Sequence, residues 1–368
     1  MRITKFFIFM LALATLIGCN PGQFQAPAVG APQPAAFDRR AMLSQIVNER
    51  ILPLHQQFVV ETEALQQAAH QFQDTPTAEN LAHLQTQWQA TAAAWAQAEH
   101  FGFRFTMIIH NQIKKWPINT TFIEEFITEE TGTIDEPFIE SIGSTSKGLA
   151  AIEYLIFNPD LTNQALVEGL AAEPRRMAYL VALAENLHNK SQELLMMWSP
   201  DGDNQGQAFI EADFSANDIQ GSISMLANEM IVQVEEIAHT RLNYPRMGVY
   251  GAPQPQAVES PYAQFSAPLL ANNLRSLQLT FNTGLADYVN FLQADESVPS
   301  LPAAINGQFE GAIAAVEAIS PSLQTAVIDD PAAVEQAYNE VKALLVLFKA
   351  DMANQMGLTI TFSDNDGD

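Results

Sequence analysis

Apolar residues return every three or four positions through most of residues 38–356, with polar residues between them. That spacing is the pattern of helices buried along one face. Asp38 can cap a first helix carrying Leu43, Ile46, Val47, Leu54 and Phe58, which Pro53 is expected to kink. After a turn at Thr75-Pro76-Thr77, a second helix aligns Leu81, Leu84, Trp88, Ala92 and Trp95 in one stripe. Trp116-Pro117 breaks the pattern and opens an irregular stretch to about Thr145. Helices are expected over 146–157 and 174–198, the second with Pro174 in its first turn, where proline is tolerated. Ser199-Pro200-Asp201-Gly202-Asp203 reads as a linker. Beyond it, Ile219, Ile223, Leu226, Met230, Val234 and Ile237 mark a helix over about 214–240. A proline-rich loop spans 244–261, and long loops inside a compact body are often functional. Helices over 267–293, 302–319 and 331–356 complete the pattern, and 357–363 suits a short strand or an extended tail. The expected fold is all-α: an N-terminal helical bundle (38–200) packed against a C-terminal one (208–356), with the long irregular loop between bundle helices and an acidic tail over 357–368.

The first eighteen residues follow different rules. Arg2 and Lys5 precede an uncharged run over 6–17 that is too short to span a bilayer. The run ends in Leu16-Ile17-Gly18-Cys19, which resembles the bacterial lipobox. The resemblance implies removal of residues 1–18 as a signal peptide and lipidation of Cys19. Cys19 is the chain's single cysteine, so no internal disulfide can form. More than one acyl chain there would anchor the protein durably to a membrane. Asn20 at the next position, by similarity to lipoproteins of double-membraned bacteria, implies the outer membrane and a periplasm-facing body. Residues 19–37, rich in Pro, Gly, Gln and Ala, read as a flexible tether.

Charge narrows the partners. Forty-two acidic residues against seventeen basic ones give a formal charge of -25. Nucleic acid is not an expected partner, because phosphate binding needs a basic patch. The negative field favours approaching cations or simply aids solubility. No His-Glu-x-x-His stretch and no Gly-x-Ser-x-Gly elbow occurs, so the usual zinc-peptidase and serine-hydrolase arguments have no footing. Asp364, Asp366 and Asp368 flank Gly367 like the opening of a calcium loop, yet the distant glutamate such a loop requires is missing.

Several separated segments share an order and spacing. They are Trp88, Ala92, Trp95, Glu99, Phe101 and Phe103; Trp116-Pro117 with Phe122-Ile123; Gly148 through Leu155; Arg176, Tyr179 and Leu180 leading to Trp198; Glu259-Ser260-Pro261-Tyr262; and 361–368. Together they resemble the imelysin family of iron-regulated envelope proteins, once named for a peptidase activity. The resemblance implies two helical bundles and a site carrying Gly-x-His-x-x-Glu. Here Gly148 and Glu153 stand in place, but the histidine position holds Ala150, and an arginine usual to the family is replaced by Ala92.

Glu153 sits in an apolar stretch and Glu99 lies one turn beyond Trp95, so each needs a partner once buried. If the two converge, they bind a cation or share a proton. His100 and His110 are the candidate replacements for the missing imidazole. Trp116, Pro117, Gly148 and Ser260 are the other motif positions. Alternatively, Glu153 bonds a backbone amide or a tyrosine and holds the bundles in register. Hard oxygen ligands suit iron, calcium or magnesium. The leading expectation is a non-enzymatic envelope lipoprotein that binds iron or another hard cation and works with iron-uptake proteins. A metal-dependent peptidase and a purely structural protein with an empty site are the rivals.

Overall fold

The computed structural model describes residues 36–129, 131–212, 218–293 and 299–361; the signal segment, Cys19, most of the tether and the acidic residues 362–368 lie outside that range. Nine helices build the bundles and the site: α1 (Leu52–Asp74), α2 (Ala78–Ala98), α3 (Met107–Ile113), α4 (Gly148–Ile156), α5 (Pro174–Trp198), α6 (Ser222–Glu235), α7 (Ser266–Thr280), α8 (Leu301–Glu317) and α9 (Pro331–Val346). Among the described residues there is no strand; 358–361 has no regular structure, and its backbone is held by Asn228. α1 packs against α2 and α5, with α4 between α2 and α5, forming one bundle. α8 packs against α7 and α9, and α6 joins α9, forming the second. The seam between them is α2 against α7, within one compact unit over Asp38–Asp368.

Sequence explains most boundaries. Thr77 and Asp135 accept hydrogen bonds from the backbone amides three residues on, capping the helices that follow. Pro174 opens α5 where its missing N–H costs nothing. At Pro53 the chain stays helical, running from Arg39 into α1 through a π turn over Val47–Ile51 just before the proline. The stretch after Trp116 is less irregular than its composition implies, holding short helices at Thr120–Thr128 and Glu136–Ser141. Short helices at Asn163–Ala172 and Leu323–Asp329 also escape the periodicity, because two turns give too few repeats to show a face.

The first bundle is filled with aromatic rings. Phe58 meets Trp95 at 5.1 Å, and Phe103 meets Trp198 at 5.6 Å between centroids. Each ring is almost wholly buried, and burying a side chain of that size stabilises by roughly 1.5–3 kcal/mol. The Trp88 indole N–H donates to the Leu149 carbonyl, which fixes α4 on α2 at the site. Gly148 begins α4 at φ +76, and a Cβ there would overlap the carbonyl oxygens of Gln112 and Ile113. Only glycine allows the end of α3 to lie this close to the start of α4.

Candidate functional site

The residues picked from sequence gather where α2 ends, α3 ends, α4 begins, and α6 and α7 of the second bundle approach. Glu99 opens the short 3-10 turn after α2. Its carboxylate receives both terminal nitrogens of Arg241, at 2.9 and 3.1 Å, in a bidentate pair. Lys114 donates to its Oε1 at 3.2 Å, and Asn273 and Gln233 donate to Oε2 at 2.9 and 3.3 Å. Arg241 and Lys114 both reach Glu259 from the proline-rich loop, with Lys114 in very close contact. Glu236 also accepts from Arg241 at 3.1 Å, so two cations and three carboxylates form one interlocked cluster, drawn from both bundles at the seam. Burial alone would push the Glu99 carboxyl up. The charges of Arg241 and Lys114, with hydrogen bonds from Arg241 and Asn273, together hold it well below the usual carboxylate range. Burial lowers the Lys114 ammonium to about 8, against the pull of Glu99.

Glu153 is held differently. Its Oε1 accepts the Ser260 hydroxyl and the backbone N–H groups of Tyr262 and Ala263, each at 2.9 Å. Among the described residues no cation bonds to it. Burial pushes its carboxyl up to about 7, and those three donors with the Lys114 charge hold it from rising further. The neighbouring Tyr154 packs edge-on against Tyr262 at 5.2 Å and donates to Glu124, which Arg176 also grips. Glu153 therefore staples the proline-rich loop to α4, the amide-bonded alternative raised by its setting in the sequence.

Glu99 and Glu153 line adjoining hollows that share Lys114, Glu259, Trp95 and Trp116, but they have separate donor sets. The expected convergence of the two carboxylates on one cation gives way to protein donors at each. Among the described residues no group of three or more His, Cys, Asp or Glu is placed to hold a metal ion. Neither histidine takes up the role of the missing imidazole beside Glu153. His100 Nε2 bonds to the Thr280 hydroxyl of α7 at 2.9 Å. His110 lies edge-on to Trp95 with centroids 4.7 Å apart. Burial depresses both imidazoles to about 3, so they are neutral near pH 7. Ala150 and Ala92 face a small apolar space beside Trp88 and Leu269. Trp116, whose bond to Pro117 is cis, lines both hollows. Ser260 acts here as a hydrogen-bond donor to Glu153, and Gly148 as the point of close helix approach.

Two cluster positions, Arg241 and Lys114, were not picked out from the sequence, and Glu259 was picked out only as part of the segment Glu259-Ser260-Pro261-Tyr262. Arg241 was legible: it falls four residues past Ile237 on the stripe Ile223, Leu226, Met230, Val234, Ile237, so a charge was continuing an apolar face. Lys114 and Glu259 lie outside any periodic segment, and nothing local marks their burial.

The fold and this seam define a two-bundle, all-helical protein whose site is built by both bundles. The imelysin family model matches residues 51–348, and the chain belongs to that family. Among solved structures, it is similar to a putative iron-regulated protein A precursor from Parabacteroides distasonis ATCC 8503, at 19% identity and TM-score 0.71. That match covers 86% of this chain and 95% of that one. It is also similar to an imelysin-like protein from Psychrobacter arcticum 273-4, at 14% identity and TM-score 0.70, covering 88% and 97% of the two chains. At these identities the likeness speaks for the fold. No curated protein matches the sequence.

Proposed function

We propose that this protein is a non-enzymatic imelysin of the cell envelope, tethered through lipid on Cys19, whose seam between bundles takes up a small polar ligand in iron-linked physiology. The observation that carries the non-enzymatic part is the occupancy of its carboxylates. Glu99 is bonded by Arg241, Lys114, Asn273 and Gln233, and Glu153 Oε1 by three loop donors. A hydrolytic metal needs several free ligands and an open coordination position. The positions offered here already serve Arg241, Lys114 and the loop. The link to iron rests on family membership and on the iron-regulated protein among the similar structures. The lipobox-like Leu16-Ile17-Gly18-Cys19 supports the tether.

Two measurements test this reading in the full-length protein. Acyl labelling and membrane fractionation should place the wild type in the membrane, outer rather than inner, and Cys19→Ser in the soluble fraction. Incubation with an unfolded protein substrate should give no hydrolysis that a chelator suppresses. Chelator-sensitive cleavage, lost in Glu153→Gln, would restore the peptidase reading.

A further inference from the structure

The proline-rich loop that Glu153 staples at one end projects outward at the other. A short helical turn, Tyr244–Met247, leads into the projection. The Gln254 N–H closes its neck on the Pro245 carbonyl at 2.7 Å. Residues 246–253 are therefore a closed excursion with its ends bonded together, in the manner of an Ω-loop. Gly248 and Gly251 both have positive φ. A Cβ at Gly248 would overlap the Ala252 carbonyl oxygen, so glycine is what lets the chain fold back there. The tip is a defined turn on a fastened base.

This turn displays apolar side chains. Val249 is 73% exposed and Tyr250 96%, with Met247 at 39% beside them. Single apolar residues on a surface need no explanation, but a projecting run of them marks a contact. The tip is also neutral in an acidic chain. Residues 244–258 contain no Asp or Glu, although the whole chain carries a formal charge of -25. Their one charged residue, Arg246, is matched by Glu335 at 3.5 Å and lies over the Tyr338 ring. The negative field that repels the body from an anionic bilayer is therefore weakest at its source here. By contrast, the exposed side chains of Ile108 and Met196 share a groove with Glu193 and Asp203, whose carboxylates resist entry into lipid. A tyrosine beside an aliphatic residue suits the layer between water and hydrocarbon, where its ring is buried and its hydroxyl stays wet.

We propose that Met247, Val249 and Tyr250 form a membrane-contact element that dips into the interfacial layer of a lipid bilayer. The proposal rests on the reading of Cys19 as a lipid anchor. Residues 20–37 span up to about 60 Å when extended, which leaves the bilayer within reach of a projecting tip. Three side chains hold a membrane weakly by themselves, but an anchor on the same chain raises their effective concentration at its surface. The element therefore orients the body and leaves attachment to the lipid on Cys19. A protein partner would need a hollow shaped to this tip, whereas a bilayer asks only for an uncharged apolar projection.

The test is amide hydrogen exchange on the chain from Cys19 onward, coupled through the Cys19 thiol to vesicles of phosphatidylcholine containing a maleimide lipid. The same protein on maleimide beads without lipid is the reference. This coupling supplies an anchor whatever acyl labelling shows, so the tip and the natural lipidation are judged separately. Exchange at residues 247–252 should slow at least fivefold on vesicles relative to beads, with the other loops unchanged. Val249→Ser/Tyr250→Ser, an exposed change that leaves the neck intact, should restore the bead rate. Equal rates on vesicles and beads, or slowing that survives the double substitution, would overturn the membrane contact. Slowing on beads as well as vesicles would assign the tip to a second copy of this chain, and the lipid contact falls. Slowing only when phosphatidylglycerol is added would trace it to Arg246, and the apolar element falls too.

Discussion

Glu99 and Glu153 are the same residue type, buried in the same seam, yet the protein stabilises them by opposite means. Glu99 is surrounded by fixed positive charge and stays ionised to strongly acid pH. Glu153 is surrounded by neutral donors and is pushed up to about 7. The difference teaches that burial by itself decides little. What counts is whether the compensating group carries charge or only a dipole. Glu99 locks the bundles together through Arg241 and Asn273 of the second bundle. Glu153 locks a loop to a helix, and its proton is exchangeable near neutral pH.

The contrast breaks most visibly at Glu99. Glu99→Ala takes away the bidentate partner of Arg241 and an acceptor of Lys114, and removing one partner of a buried ion pair costs about 3–5 kcal/mol. Denaturant unfolding at pH 7 should show that loss; a change below about 1 kcal/mol would mean the seam rehydrates freely.

The pH trend of Glu153→Gln sharpens it next. A carboxyl whose folded pKa is raised from 4.5 to about 7 stabilises the fold at low pH, and that contribution is lost as pH rises between those values. Glutamine cannot ionise. The variant should therefore gain on the wild type by on the order of 2–3 kcal/mol between pH 4.5 and 7. Glu99→Gln should behave in reverse. Its deficit should be full at neutral pH and shrink as the pH falls below 4.5. Parallel curves for the two variants would refute the assignment of charged and neutral partners.

His100, one residue from Glu99, extends the comparison to a base. Its folded pKa is depressed from 6.5 to about 3, first by burial and then by the Arg50 charge. Below pH 6.5 the unfolded chain takes up a proton that the folded chain refuses, so stability falls with acidification. His100→Gln should escape this penalty and gain roughly 2 kcal/mol on the wild type by pH 4.5. Thermal unfolding across that range will read it.

The smallest effect is expected from Arg241→Lys. It keeps the charge but loses the two-pronged grip on Glu99, costing about 1–2 kcal/mol in a thermal melt.

Much of the fold was readable because long helices repeat their pattern many times. α5 begins at Pro174 and ends at Trp198, as its proline, periodicity and following linker indicate. Two-turn helices and π turns were not readable, since neither alters the apolar period enough to register. The candidate site was half readable. Glu99 and Glu153 announce themselves as charges in apolar company, but their partners depend on contacts between residues 142 and 107 positions apart. No local pattern encodes such pairings. The notion of a shared cation came from seeing two acids near one seam, without the Arg241 and Lys114 that lie between the bundles.

Asn228 in α6 offers a last consequence. Its side-chain amide donates to the Thr359 carbonyl, and its oxygen accepts the Thr361 N–H, much as a neighbouring strand would. One helical side chain thus clasps residues 359–361 to the C-terminal bundle, beyond the Leu358 N–H bond to the Ala353 carbonyl. Proteolytic trimming back to residue 358 would undo the clasp and leave the Asn228 amide bonded to Ser224 alone, its oxygen open to water.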